Sequence, residues 1–154
     1  MGAFFSTMLK IIRAKTEHLQ ELAPLFDAYR VFYKQESDVG SSLHFLEKRF
    51  AKRQSEVFIA YLDGKAVGIT QLYTTFSSVS LKPVYILNDL YVKRSQRKIG
   101  IGEALLNRAK AFCVENGHKG VALETARDNP AQKLYERLGW QKDAQSFHYF
   151  WAAD

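Results

Sequence analysis

Residues 94–106 read RSQRKIGIGEALL, and the order of side chains describes an anion site. Arg94, Arg97 and Lys98 come first, Gly100 and Gly102 follow, and the stretch then turns amphipathic. A helix begun there leaves its first amides unpaired and carries roughly half a positive charge at its N-terminus. A phosphate placed on those amides gains charge-assisted hydrogen bonds worth ~1.5–3 kcal/mol each. Glycine removes side chains that would obstruct the approach. Arg97, Lys98, Gly100 and Gly102 therefore fit a cradle for a diphosphate, set against the plainer reading of a strand-to-helix turn with surface cations. A P-loop would need a Lys-Ser or Lys-Thr pair after its second glycine, and none is present. A dinucleotide fingerprint fits in part, with Glu124 where a ribose-binding acid would stand. It fails at Leu105, where a small residue is required, and at the long basic loop between Val92 and Gly100.

The elements that must position this loop follow from hydrophobic period. MLKIIRAKT begins with the alternation of a first strand. In 16–34, Leu19, Leu22, Phe26, Tyr29 and Tyr33 recur at helical spacing, with Pro24 as a kink or restart. Residues 40–53 form a second helix through Leu43, Leu46 and Phe50. The period then drops to two: EVFIAYL, Asp63-Gly64 and KAVGITQLY predict a hairpin, and PVYILNDLYV an apolar strand interrupted by Asn88 and Asp89. In a regular strand these two neighbours face opposite ways. Leu105, Leu106, Ala109, Phe112 and Cys113 stripe the helix after the glycines, which ends near Gly117. GVALET predicts a short buried strand, NPAQKLYERLG a compact helix from Asn129 to Gly139, and SFHYFW a last strand. The order is β-α-α-β-β-β-α-β-α-β-β, an α/β or α+β layer arrangement.

The chain has 154 residues, 47% of them hydrophobic and 25% charged. That composition suits one globular domain over 1–154, residues 1–7 being a short extension. No apolar run reaches the ~18 residues that span a bilayer, and the N-terminus lacks the marks of a signal peptide. One cysteine excludes an internal disulfide, and a cytoplasmic location is expected. The net charge of +6 favours a phosphate-bearing partner, either nucleic acid or a nucleotide-like cofactor. No His or Cys spacing supports a metal site.

LNDLYVKRSQRKIGIGEALL followed by NPAQKLYERLGW resembles the GNAT superfamily of acetyl-CoA-dependent N-acetyltransferases. The family signature is Arg or Gln, two residues, Gly, one residue, then Gly or Ala, and Arg97-Lys98-Ile99-Gly100-Ile101-Gly102 matches it. A second signature, an Asn ahead of a helix with a Tyr near its end, matches Asn129 and Tyr135. The resemblance covers residues 9–152. It implies a mixed, mostly antiparallel twisted sheet of about six to seven strands flanked by about four helices. It also implies acetyl-CoA as cofactor, an amine acceptor, and a homodimer. YILNDLYV is most similar to the branch containing diamine and polyamine acetyltransferases. Where several members of that branch place a catalytic glutamate, this chain has Asn88.

The resemblance assigns the coenzyme diphosphate to the amides of Arg97, Lys98, Ile99, Gly100, Ile101 and Gly102, with Asn129 also contacting the coenzyme. Backbone amides of Leu90, Tyr91 and Val92 would hold the thioester carbonyl. Tyr135 would stabilise or protonate the departing thiolate: a phenol with a pKa of ~10 is protonated at pH 7, above the ~8.5 of a thiol. A primary alkylamine has a pKa of ~10.4, so freeing its lone pair at pH 7 costs about 4.6 kcal/mol. Asp89 and Glu124 are the carboxylates near the expected centre, and a water relay or desolvation of the amine are alternatives. Tyr29, Arg30, Tyr33, Tyr73, Phe76 and Asn88 are the acceptor-side candidates, with aromatic core packing the rival role for Tyr29 and Phe32. The expected activity is direct transfer of acetyl to a primary amine of a small molecule, amino acid or peptide, with no nucleic acid or membrane partner. A non-catalytic acyl-CoA-binding sensor is the alternative.

Overall fold

The computed structural model describes residues 8–153. The expected extension at 1–7 lies outside the described residues. The chain divides into two compact units, one ending at Glu124 and one beginning at Thr125.

The first unit is a sheet in the order β1 (Leu9–Arg13), β2 (Ser55–Leu62), β3 (Lys65–Ser77), β4 (Lys82–Val92), β5 (Val121–Ala122). All neighbours are antiparallel except β4 and β5. Two helices, α1 (Leu19–Phe32) and α2 (Val39–Ala51), lie between β1 and β2 in sequence, and α3 (Ile101–Glu115) lies between β4 and β5. The period of two in β2 sorts its side chains between the layers. Val57 and Ile59 join Leu22, Ala23, Phe26 and Leu46 of α1 and α2 in one core. Phe58 points the other way and meets Phe112 of α3 edge-on at 5.2 Å.

Sequence punctuation works as expected at two places. Asp63 (φ 49°) and Gly64 (φ 81°) both take the left-handed conformation. A two-residue hairpin turn of type I′ requires it at both central positions. Pro24 stays inside α1 on its exposed side, with exposed Gln20 the residue whose carbonyl loses its helical partner. The α1–α2 connection is held by Asp27. Its buried carboxylate accepts from Ser37 Oγ (2.6 Å), Asp38 N (2.7 Å) and Ser42 Oγ (3.3 Å). These bonds, Ser37 foremost, hold the Asp27 carboxyl below its ordinary range despite burial.

The second unit contains α4 (Gln132–Arg137). Asn129 Oδ1 accepts from Ala131 N (2.9 Å) before the helix. Gly139 (φ 96°) ends it, with Gly139 N bonded to Glu136 O and Trp140 N to Tyr135 O. These are the paired bonds of a Schellman motif.

Three expectations are corrected. The sheet has five strands, not six to seven, because residues 146–151 find no strand partner among the described residues, and an unpaired strand is not a stable element. GVALET contributes only Val121 and Ala122, the residues that ladder with Tyr85 and Ile86. Phe32, weighed as core, is 56% exposed at the end of α1.

Candidate active site

β3 and β4 pair in regular register from Gly68↔Val92 to Gln71↔Asp89, and the next pair is Leu72↔Leu87. Asn88 is therefore an extra residue, a β-bulge in β4. Its effect is to exchange faces. Directly opposed residues share a face. Asp89 thus sides with Gln71 and Ile69, toward α1 and α2, whereas Leu87 sides with Leu72 and Tyr85 stacks at 5.5 Å on Phe112 of α3. Strict alternation would have put Asp89 on the α3 face with Tyr85 and Leu87. It also separates the side chains of residues 88 and 89, but here Asn88 Nδ2 donates to Asp89 Oδ1 at 2.6 Å.

Asp89 is 1% exposed. Gln71 Nε2 donates to its Oδ2 at 2.5 Å. Burial disfavours the carboxylate more than the Asn88 and Gln71 bonds favour it, and the group is pushed up to about 6. The Tyr73 hydroxyl is pushed up as well, by burial first and the Asp89 charge second, with Arg49 opposing. From α1, Tyr29 Oη donates to the Asn88 carbonyl at 2.9 Å. The Tyr33 ring lies 4.9 Å from that of Tyr29.

Beyond Asp89 the strand runs through Leu90, Tyr91 and Val92. β5 covers β4 only at Tyr85 and Ile86, so from Leu87 onward no strand lies on that side among the described residues. A short 3-10 turn, Arg94–Gln96, leads into the loop. Lys98 (φ 66°) and Gly100 (φ 90°) are both left-handed and bracket Ile99, and α3 starts at Ile101. A Cβ at Gly100 would meet nothing within 4 Å. The glycine therefore answers to its φ and not to crowding. Ile101 and Leu105 are fully buried and fasten the helix start to the sheet. Gly68 makes this possible: a Cβ there would stand 3.1 Å from the Tyr91 carbonyl and 3.3 Å from side-chain atoms of Ile101 and Leu105. The exposed loop and the helix start at Ile101 and Gly102 fit a diphosphate.

Residues 19–140 match the Acetyltransferase (GNAT) family. The chain belongs to the GNAT family. An uncharacterized N-acetyltransferase, YhfO, from Bacillus subtilis is 44% identical over 142 residues, 92% of this chain and 95% of its own length. The crystal structure of a probable acetyltransferase superposes with a TM-score of 0.89 at 40% identity, covering 94% of this chain and 98% of the other. An aminoglycoside acetyltransferase solved in complex with sisomicin gives a TM-score of 0.82 at 26% identity, over 95% and 97% of the two chains. The chain is an acetyl-CoA-dependent acyltransferase.

In this GNAT acetyltransferase, the fold brings together Asp89, Asn88, Tyr73 and Tyr29, with the Tyr33 ring tilted at 59° against that of Tyr29. Arg97 is turned back onto its own strand: Nε donates to the Val92 carbonyl (2.9 Å), and the guanidinium lies 5.7 Å over Tyr91 and 5.6 Å over Phe32. Arg30 lies 3.9 Å from Asp27. Phe76 is 76% exposed near the far end of β3 and does not join the cluster. Glu124 is exposed beyond β5. Asn129 and buried Tyr135 belong to the second unit, where the Tyr135 ring lies 6.3 Å from that of Trp140. Sequence reasoning missed Gln71, Gly68 and Asp27. A signal for Gln71 exists: it is a polar side chain in the middle of an apolar strand.

Proposed function

We propose that this acetyltransferase moves acetyl from acetyl-CoA to a primary amine of a small molecule, an amino acid or a peptide, by direct attack with both substrates bound together. The observation that carries the reading is the bulge at Asn88. It turns a buried, proton-seeking carboxylate onto the α1–α2 face, in the strand that continues into the glycine loop.

The amides of residues 97–102 hold the coenzyme diphosphate, with Lys98 adding charge, and Asn129 makes a further coenzyme contact. Bound acetyl-CoA supplies a thioester carbonyl, which the backbone of Leu90, Tyr91 and Val92 receives. Asp89 takes the proton of the acceptor ammonium. Its value of about 6 leaves it roughly nine-tenths ionised at pH 7, and brings it about 3 kcal/mol closer to the amine than an ordinary aspartate. Tyr135 is the proton donor to the sulfur. Tyr29, Tyr33 and Tyr73 form an aromatic wall on the acceptor side, and Asn88 lies at its edge. Positioning two bound substrates side by side supplies most of the acceleration. The catalytic domain spans 1–154, and buried Cys113, the single cysteine, suits a reducing cytoplasm.

Thiol release from acetyl-CoA across alkylamines, amino acids, peptides and aminoglycosides tests the reading. Turnover with at least one class is expected, falling about a hundredfold or more in Tyr135→Phe. Tight coenzyme binding, no turnover with any amine and no effect of Tyr135→Phe would leave the sensor reading standing instead.

A further inference from the structure

Asp89 carries one donor on each carboxylate oxygen, and the two donors differ in kind. Gln71 reaches Oδ2 from the neighbouring strand and is 1% exposed. Asn88 reaches Oδ1 from an exposed position on the bulge. The Gln71 amide is locked in orientation. A carboxylate only accepts, so the NH2 must face Asp89, and the Gln71 amide also lies within reach of the Tyr73 hydroxyl. Turning the amide over would set its oxygen against the buried carboxylate, so Gln71 keeps this grip on Asp89. Asn88 has no such constraint: its amide can swing into water and stay fully hydrogen-bonded, leaving Oδ1 open. An ammonium N–H offers the same donor geometry with a full positive charge, and ionised pairs are roughly twice as strong as neutral hydrogen bonds.

We propose that the Asn88 side chain stands in for the acceptor: an incoming primary ammonium displaces the Asn88 amide from Asp89 Oδ1, while Gln71 holds Oδ2 as a positioning residue. The inference rests on Asp89 as the acceptor-side base, and deepens that reading by naming a cationic amine as the docking group and Asn88 as the gate it opens. Tyr73 also faces the carboxylate, with Arg49 acting on the Tyr73 hydroxyl; Tyr73 stays protonated and does not compete for the charge.

The test is side-chain amide and carboxyl NMR on the full chain saturated with coenzyme A at pH 8, with n-butylammonium as probe. In the wild type the probe should move the Asn88 amide signals to solvent-like shifts and leave those of Gln71 protected. Asn88→Ala removes the competitor and should bind the probe about three- to tenfold tighter. Gln71→Met should weaken the probe about tenfold. In the free protein it should also raise the Asp89 titration midpoint by about one unit, a readout that a merely structural glutamine would not move. Weaker or unchanged binding in Asn88→Ala, equal disturbance of both amides, or an unmoved Asp89 midpoint in Gln71→Met each overturns the inference. The wild-type arm holds even if Gln71→Met fails to fold. Thiol release with n-butylamine, run in parallel, separates the two readings. Docking without turnover sinks the catalytic role of Asp89 alone, and turnover with Asn88 undisturbed sinks the gate alone.

Discussion

The hydroxyl of Tyr29 donates to the main-chain carbonyl of Asn88 across 2.9 Å, so the last turns of α1 are tied to the bulge in β4. A carbonyl at a bulge has lost its ladder partner, and the phenol satisfies it from the next layer. Tyr29→Phe keeps the ring and removes the bond. The expected cost is about 1 kcal/mol, read as a fall of a few degrees in Tm. An unchanged Tm would mean that water serves the carbonyl equally well.

Asp89 makes the fold sensitive to pH in the opposite sense to most carboxylates. Its folded value of about 6 lies above the ~3.9 of the unfolded chain, so the native state binds the extra proton between those values. Stability is fully present below the unfolded value and declines as pH rises through the folded one, by at most about 3 kcal/mol. Asp89→Asn removes that slope. It should melt higher than the wild type at pH 8 while losing acetyl transfer, and Gln71 can turn its amide over to accept from the new side chain. Thermal melts from pH 4 to 8 check it; parallel curves for the two proteins would refute the sign.

Asp27 behaves in the usual way. Three donors hold its folded value below that of the unfolded chain, so its contribution is present at neutral pH and vanishes as pH falls through the folded value. Asp27→Asn should cost about 1–3 kcal/mol at pH 7 by misplacing a donor against Ser37, Asp38 and Ser42. The gap to the wild type should narrow as pH drops below ~4. Denaturant midpoints at pH 7 and pH 3 give the comparison.

Much of this architecture is legible in the chain because local chemistry and tertiary demand agree. Asp63-Gly64 announces its hairpin, and the two glycines after Lys98 announce the start of α3, though for Gly100 the reason is its left-handed φ and not the cleared approach expected. Gly139 closes α4 as the sequence predicts, whereas the helix starts only at Gln132, with Ala131 and not Asn129 at its N-cap. The bulge leaves no such mark: LNDLYV contains neither Gly nor Pro, and only the partner strand reveals that Asn88 is supernumerary. Period arguments assume an unbroken strand, and so they put Asp89 on the wrong face. SFHYFW shows the converse, a good strand pattern without a ladder partner among the described residues.

Gly68 gives the most direct test of how the loop is positioned. The new methyl in Gly68→Ala meets a main-chain oxygen at 3.1 Å, which cannot swing aside, so β4 or the start of α3 must shift by a few tenths of an ångström. A cost of about 1–3 kcal/mol is expected, with weaker coenzyme A binding measured by calorimetry. Normal affinity at reduced stability would show that the loop tolerates the displacement.

The supernumerary residue in β4 is also a matter of parity. One insertion makes the count from Tyr85 to Asp89 effectively odd, and removing Asn88 would make Leu87 and Asp89 neighbours, which a regular strand places on opposite faces. Every side chain on either side of the cut would keep its face, Asp89 and Tyr91 toward α1 and α2, Tyr85 and Leu87 toward α3, with Gln71↔Asp89 and Leu72↔Leu87 still paired. A single-codon deletion should therefore be tolerated far better at Asn88 than at any paired position of β4, where it would send one half of the strand's side chains to the wrong face.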